Sequence, residues 1–86
     1  MTVTHINFDA PAELRKWPSL RGQRVKDAAS YLVVSGTLGQ CIQAFLPKHV
    51  GGRHLYEIHT APQTDVVTEV LPAEHVAELA RLQEYL

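Results

Sequence analysis

The sequence has little cysteine and no long apolar run, and each shortage removes a class of protein. Cys41 is the one cysteine among 86 residues, so the chain cannot carry the internal disulfides typical of small secreted domains. The longest apolar run, Tyr31 to Val34, is far too short to cross a membrane. Met1 to His5 have neither the basic start nor the apolar stretch of a signal peptide. We therefore expect a soluble, cytoplasmic protein with no membrane partner.

The histidines do not have the spacing of a metal site. His49, His54 and His59 lie five residues apart, which fits neither a pair of helical ligands nor a zinc finger. If residues 53–60 form a strand, His54 and His59 point to opposite faces, and His59 shares the outer face with Glu57 and Glu69. The sequence therefore predicts no metal ion and no other cofactor.

Catalytic motifs are missing as well. Cys41 falls on the apolar side of a predicted helix, between Leu38 and Phe45, where no acid or base is within helical reach. Gly51 and Gly52 lack the Lys and Ser/Thr that complete a phosphate loop, and neither a nucleophile elbow nor a dinucleotide fingerprint occurs. We expect a protein that is not an enzyme and has no catalytic residues, in which Cys41 is buried.

Charge is divided unevenly along the chain, although the net charge is only −1. Residues 1–53 hold seven Lys or Arg against three Asp or Glu, whereas residues 54–86 hold one against six. Such a split is typical of a basic face for an anionic partner, or of two complementary faces that meet in the fold or in a dimer. With 45% apolar and 20% charged residues, the composition is otherwise that of one globular domain over residues 1–86.

The start of the chain predicts a short strand and then a helix. Thr2 to Phe8 alternate in polarity, as a strand does when one side is buried. Asp9 can cap a helix that ends at Pro18, and the buried side of this helix would be Leu14 and Trp17.

A helical pair is predicted in the middle of the chain. Over residues 22–34 the apolar residues have helical spacing: Val25, Ala28, Ala29, Leu32 and Val33. Gly36 ends this helix, and Thr37 with Gln40 fits a capping box that opens a second helix over residues 38–46. The second helix has apolar residues at the same spacing: Leu38, Cys41, Ile42, Phe45 and Leu46. The alternative is two strands over residues 30–46, because this segment contains valines and glycines, which are weak helix formers.

The last third of the chain predicts a β-hairpin and a helix. Arg53 to Thr60 and Thr64 to Leu71 are strand-like, and Ala61-Pro62-Gln63 separates them. The preferred register has this inner face: Tyr56, Ile58, Val66 and Val70. Pro72 then opens a helix with this buried side: Val76, Leu79, Leu82 and Leu86. The predicted class is α+β: a short N-terminal strand, a helix, a helical hairpin like a helix-turn-helix, a β-hairpin and a C-terminal helix.

Three short motifs follow one another between residues 25 and 58. They are Val25 to Leu32, then Val34-Ser35 with Thr37-Leu38, and then Val50 to Arg53 leading into a strand. In this order they resemble the small winged helix-turn-helix domains of the excisionase and MerR type. The resemblance implies that the second helix of the pair reads the DNA major groove and that the hairpin wing contacts the DNA backbone.

We interpret the chain as a protein–protein interaction module, such as a small regulator, an accessory subunit or an inhibitor of a larger machine. Its small size, near-neutral charge and missing active-site chemistry favour a protein partner. The outer side of the predicted hairpin would then present Leu55, Val67 and Leu71 to that partner. A small core and opposed charges also predict a homodimer.

The alternative is a DNA-binding regulator related to the winged helix-turn-helix proteins. Its base contacts would come from Gln40 and Gln43, because the predicted recognition helix has no Lys or Arg. Its phosphate contacts would come from cations elsewhere in the chain: Arg21, Arg24, Lys26, Lys48 and Arg53. The missing cations on the recognition helix make the protein partner the first hypothesis.

Overall fold

An antiparallel sheet organises the structure, which is a computed structural model describing residues 6–63 and 67–85. The strands are β1 (Pro11–Lys16), β2 (Ser19–Leu20), β3 (Gln23–Arg24), β4 (Tyr31–Thr37), β5 (Tyr56–Thr60) and β6 (Val70–Pro72). Four of them form one sheet in the order β4-β1-β5-β6, and every neighbouring pair is antiparallel. The strands β2 and β3 form a separate small hairpin within the connection from β1 to β4.

Two α-helices pack on one face of the four-stranded sheet. They are α1 (Leu38–Phe45) and α2 (Ala73–Tyr85), and a 3₁₀-helix (Val50–Leu55) leads into β5. The capping box predicted at the start of α1 is confirmed: the backbone N–H of Gln40 donates to the Thr37 hydroxyl, and the backbone N–H of Thr37 donates to the Gln40 side chain. The helix predicted to open at Pro72 is also confirmed, since α2 begins at the next residue.

The core lies between the helices and what we call the covered face of the sheet. Leu14, Ile58 and Leu71 lie opposite one another on β1, β5 and β6, and all three are fully buried. The helices complete this core with fully buried side chains: Leu38, Cys41, Ile42, Phe45, Val76 and Leu79. The residues that alternate with the covered ones form the open face of the sheet: Glu13, Arg15, Glu57, His59 and Val70.

The helix predicted after Asp9 is wrong, because this segment forms β1. Ala12 and Leu14 are buried and alternate with the polar Glu13 and Arg15, which is the two-residue period of a strand. The decisive interactions are distant in sequence, since β1 is the strand that pairs with both β4 and β5. Local spacing is compatible with both structures, since Leu14 and Trp17 also have helical spacing, and the distant pairing decides between them.

The helix predicted over residues 22–34 is also wrong. Arg21 and Gly22 have φ angles of 55° and 78°, and they form the two-residue turn between β2 and β3. Asp27 has a φ of 64°, which no α-helix accommodates. The segment then becomes β4, which pairs with β1 instead of forming the first helix of a helical pair. The alternative of two strands over residues 30–46 holds for β4 and fails for α1.

The predicted β-hairpin is confirmed as an antiparallel pair, with different bounds and a different face for its second strand. Residues 50–55 form the 3₁₀-helix, so the first strand begins at Tyr56. Leu71 lies opposite Ile58 and is buried, whereas Val70 is 43% exposed. Val66 and Leu86 lie outside the described residues, and Leu82 is exposed. Of the strand predicted over Thr2 to Phe8, the described part from Ile6 onward is not a strand, and the rest lies outside the description.

Candidate interaction surface

The outer edge of β4 is open to solvent. Within residues 6–63 and 67–85, β4 pairs with β1 alone and therefore ends the sheet. Tyr31, Leu32 and Val33 are 46%, 49% and 37% exposed, and the seven residues of β4 include no charge and no proline. Natural proteins usually protect edge strands with charges, with prolines, with bulges or by keeping them short. β4 contains a bulge but lacks the other three protections.

One irregularity shapes the β4 edge. Leu14 lies opposite Val34 and Arg15 lies opposite Leu32, so Val33 has no counterpart in β1. A bulge of this kind increases the local twist of a strand and turns side chains outward. It accounts for two consecutive apolar side chains, Leu32 and Val33, being exposed on the same strand.

The opposite edge of the sheet is built differently. β6 has only three residues, and its last residue, Pro72, has no backbone N–H to offer to another strand. α2 follows Pro72 directly, so the strand cannot be extended in that direction. The two edges of the sheet therefore differ, and β4 is the one able to accept another strand.

A buried carboxylate, that of Glu57 on β5, lies on the open face of the sheet. Glu57 is 7% exposed, and its oxygens accept from Trp17 Nε1–H at 2.7 Å and contact His59 Nε2 at 2.5 Å. Burial raises the pKa of the Glu57 carboxyl, but hydrogen bonds from His59 and Trp17, with the charges of His59 and Arg24, outweigh burial and lower this pKa overall. The guanidinium of Arg24 also lies over the Trp17 ring, 4.9 Å from its centroid. The Glu57 carboxylate is therefore stabilised in its ionised form, and Arg24 ties the β2–β3 connection to the cluster through Trp17.

Trp17, Glu57 and His59 form a unit that the sequence revealed only in part. The shared outer face of Glu57 and His59 is confirmed by their direct contact. The involvement of Trp17 was missed, because it is forty residues away from Glu57 and was placed on a helix. Both oxygens of the Glu57 carboxylate are engaged by side chains of this chain.

Most cations gather at one end of the molecule, which we call the basic end: Lys16, Arg21, Arg24, Lys26, Lys48 and Arg53. Lys16 and Lys48 lie 5.7 and 5.6 Å from the centre of the same ring, that of Tyr56. Arg24 donates to the carbonyl of His54, whose ring contacts the carbonyl of Gly22 beside Arg21. In the described part of the chain, none of the six cations forms an ion pair with a carboxylate. Lys16, Arg24, Lys48 and Arg53 lie instead against aromatic rings.

A shallow cavity of about 400 Å³ opens at the basic end, between the 3₁₀-helix and the start of α2. Arg24, Arg53 and His54 line one part of it, and Ala73 with Glu74 lines another. Arg53 donates to the carbonyls of Lys48 and Leu46, so its guanidinium already holds the chain after α1 in place. The cavity combines cations with one carboxylate and has no single charge character.

The three residues predicted to meet a protein partner are part of the core. Leu55 is 5% exposed, and Val67 and Leu71 are fully buried. Leu71 points to the covered face because it lies opposite Ile58, and this reverses the face that the sequence predicted. Side chains in this position cannot contact a partner while the domain is folded. Three exposed apolar side chains of the sheet lie instead on β4, at Tyr31, Leu32 and Val33.

The structure brings the predicted cations together but separates them from the predicted base-reading residues. α1 begins at the Pro11 end of β1, where Leu38 N–H donates to the carbonyl of Ala10. The basic end lies at the other end of β1, beyond Lys16. Gln40 belongs to the capping box, and Gln43 donates to the side chain of Gln83 in α2. Both glutamines are thus engaged within the domain.

Cys41 is fully buried, as predicted, and its Sγ lies 3.9 Å from the carbonyl of Val34. Burial raises the pKa of its thiol above the ordinary value. Over the described ranges, no group of three or more His, Cys, Asp or Glu is placed to hold a metal ion. None of the helices described is long and apolar enough to span a bilayer.

Comparison of the chain with protein-family models, with curated proteins and with solved structures finds no match.

Proposed function

We propose that this chain is a non-enzymatic protein–protein interaction module, a small regulator, accessory subunit or inhibitor that binds an extended segment of its partner along β4. The observation that carries the proposal is the open edge of a seven-residue strand without charge or proline, on which Tyr31, Leu32 and Val33 are exposed. The single cysteine favours a reducing compartment, so we place this function in the cytoplasm.

Strand addition explains how such an edge binds. The outward N–H and C=O groups of β4 supply main-chain hydrogen bonds to an extended segment, and these bonds do not depend on the segment's side chains. Specificity comes from side chains, here from the exposed Leu32 and Val33 and, on the other face of the strand, from Tyr31. A segment with alternating apolar residues and no acidic residue at the centre fits this edge best.

A peptide-display selection against the full chain tests the proposal without knowledge of the natural partner. We expect the enriched peptides to have strand-like sequences and to bind the wild-type protein. They should not bind Val33→Lys, because its new charge blocks the addition of a strand to the edge of β4. The matched control is Val70→Lys, which places the same charge on the other edge at a site of similar exposure, 43% against 37%.

Peptides with N-methylated backbone amides provide a second control, because methylation removes the donors that strand addition needs. Loss of binding on methylation supports the mode of binding. Equal loss of binding in Val33→Lys and Val70→Lys, or no enrichment of strand-like peptides, contradicts it.

A second candidate function, binding of a DNA backbone, is supported by the six unpaired cations of the basic end in the described part of the chain. In that case phosphate contacts dominate, so affinity falls steeply with salt and depends little on base sequence. Arg21→Ala with Lys26→Ala should weaken binding to all duplexes alike and flatten the salt dependence, whereas Arg81→Ala on α2 should not. If no duplex binds in low salt at micromolar protein, this candidate is excluded.

A further inference from the structure

We infer that the segment received by β4 is the β4 strand of a second copy of this chain. The two strands run antiparallel around a twofold axis at Val34 and join two four-stranded sheets into one of eight strands. This inference rests on the proposed function of β4 as a binding edge and names its partner.

The sequence of β4 suits pairing with itself. An axis at Val34, the middle of Tyr31–Thr37, places the exposed Val33 of each copy opposite Ser35 of the other, so a large residue meets a small one. Val34, half-buried against the core, meets its own copy at the axis. Because β4 carries no charge, self-pairing brings no like charges together within the strand pair.

Charges around the strand favour the antiparallel arrangement. Lys16 lies opposite Tyr31 at one end of β4, whereas Glu13 lies opposite Ser35 toward the other end. Asp9 lies beyond Glu13, next to the start of α1. Glu13 is already paired with Arg15 of its own chain. An antiparallel pair therefore sets the basic end of one copy toward Asp9 of the other, whereas a parallel pair would set the two basic ends together.

The other edge cannot form the same contact. β6 is short, ends in Pro72 and runs directly into α2. Pairing through β4 therefore closes as a twofold dimer and does not propagate into a fibre. It also regulates the module, because any other partner that adds a strand has to compete with the second copy.

The test is the mass of the full chain by light scattering from about 1 to about 200 µM, the range in which weak dimers form. We expect twice the chain mass of 9.6 kDa at the upper end. Val33→Lys should weaken the dimer about tenfold or more, and Val70→Lys should leave it unchanged. Circular dichroism checks that each variant is folded, and Leu32→Lys, at a site 49% exposed, replaces Val33→Lys if that variant does not fold.

Cysteine cross-linking tests the register. A disulfide between copies should form when Val33→Cys is mixed with Ser35→Cys, and not in either variant alone, because only the mixture places two thiols opposite each other. Cys41 is buried and takes no part. Rapid cross-linking of Ser35→Cys alone overturns the register and moves the axis to residue 35.

The outcomes separate this inference from the proposed function. A wild-type chain that is monomeric at the highest concentration, yet still binds selected peptides along β4, overturns the inference and leaves the proposed function standing. A dimer that responds alike to Val33→Lys and Val70→Lys also overturns it, because the interface then lies elsewhere. A monomer that binds no strand-like peptide contradicts both.

Discussion

The two faces of the sheet bury side chains by different means. On the covered face, Leu14, Ile58 and Leu71 reach zero exposure because two helices pack on them. On the open face, Glu57 is nearly as buried, but through a tryptophan indole, an imidazole and hydrogen bonds. Burial on the covered face is apolar and does not depend on pH, whereas burial on the open face depends on which groups are ionised. Substitutions on the two faces should therefore differ in size and in their response to solvent.

The largest effect is expected from Leu71→Ala on the covered face. This side chain is fully buried among the sheet and both helices, so its loss leaves a cavity and should lower the free energy of unfolding by about 2–5 kcal/mol. Val70 precedes Leu71 and lies on the open face, so Val70→Ala should change the free energy of unfolding by less than about 0.5 kcal/mol. Urea unfolding at one fixed protein concentration measures both. Equal effects would mean that the two residues do not face opposite sides.

The pair Leu71 and Val70 also shows what the sequence could and could not predict. A strand in this segment was predictable from its composition, but the face was not, because both residues are apolar and a shift of one position exchanges them. The register is fixed by contacts between Leu71 and Ile58 across the hairpin. This explains why the sequence placed Leu71 on the surface and the structure places it in the core.

The two helices and the strands β1 and β4 also differ in how well the sequence predicts them. α1 and α2 were predictable because the capping box of Thr37 and Gln40 and the start after Pro72 are local signals. β1 was missed, and β4 was predicted only as the alternative to a helix, because each is defined by pairing with strands far away in the chain. The exposed edge of β4 was consequently not predicted, because the preferred interpretation placed Leu32 and Val33 on the buried side of a helix. The cations of the basic end were predictable as a group, but not their separation from Gln40.

Glu57→Ala should have the next largest effect, and this effect should depend on pH. Removing the carboxylate leaves the Trp17 N–H without its acceptor in a half-buried position, at a cost of about 1–3 kcal/mol at neutral pH. The pKa of the Glu57 carboxyl is lower in the folded chain than in the unfolded one, so its stabilisation is present above the unfolded value of about 4.3 and is lost as the pH falls through the folded value.

Glu57→Gln is the control that isolates the pH dependence of stability due to the Glu57 charge. It keeps an oxygen that can accept from Trp17 but cannot ionise, so the difference in unfolding free energy between wild type and Glu57→Gln should shrink as the pH falls below 4.3, roughly the unfolded pKa. Urea unfolding at several pH values measures it. A difference that stays constant down to acidic pH would show that the charge of Glu57 is not what stabilises the open face.

Cys41→Ala should lower the free energy of unfolding by about 1 kcal/mol, since it removes one buried sulfur from the core side of α1. Burial also raises the pKa of this thiol, so a thiol reagent should react slowly with the folded chain and rapidly with the chain in denaturant. The variant should bind peptides and self-associate as the wild type does, because Cys41 contacts β4 only from the covered face of the sheet and is fully buried. Rapid labelling of the native protein would place the thiol at the surface.

The smallest effect is expected on the open face, at the ion pair of Glu13 and Arg15. Their side chains are 45% and 25% exposed and lie 3.0 Å apart, and exposed pairs contribute only about 0.2–1 kcal/mol. Glu13→Gln should therefore lower the free energy of unfolding only slightly, and high salt should abolish the difference from wild type because salt screens exposed charges.

Arg15→Gln should lower the free energy of unfolding more than Glu13→Gln does, and its effect should respond less to salt. Arg15 also donates to the hydroxyl and the carbonyl of Ser30, which fixes the chain just before β4. These acceptors are neutral, so screening affects them less than it affects the ion pair. Urea unfolding in low and in high salt compares the two variants. If they respond alike, the bonds to Ser30 add nothing to the stability of the open face, and the ion pair accounts for the whole effect.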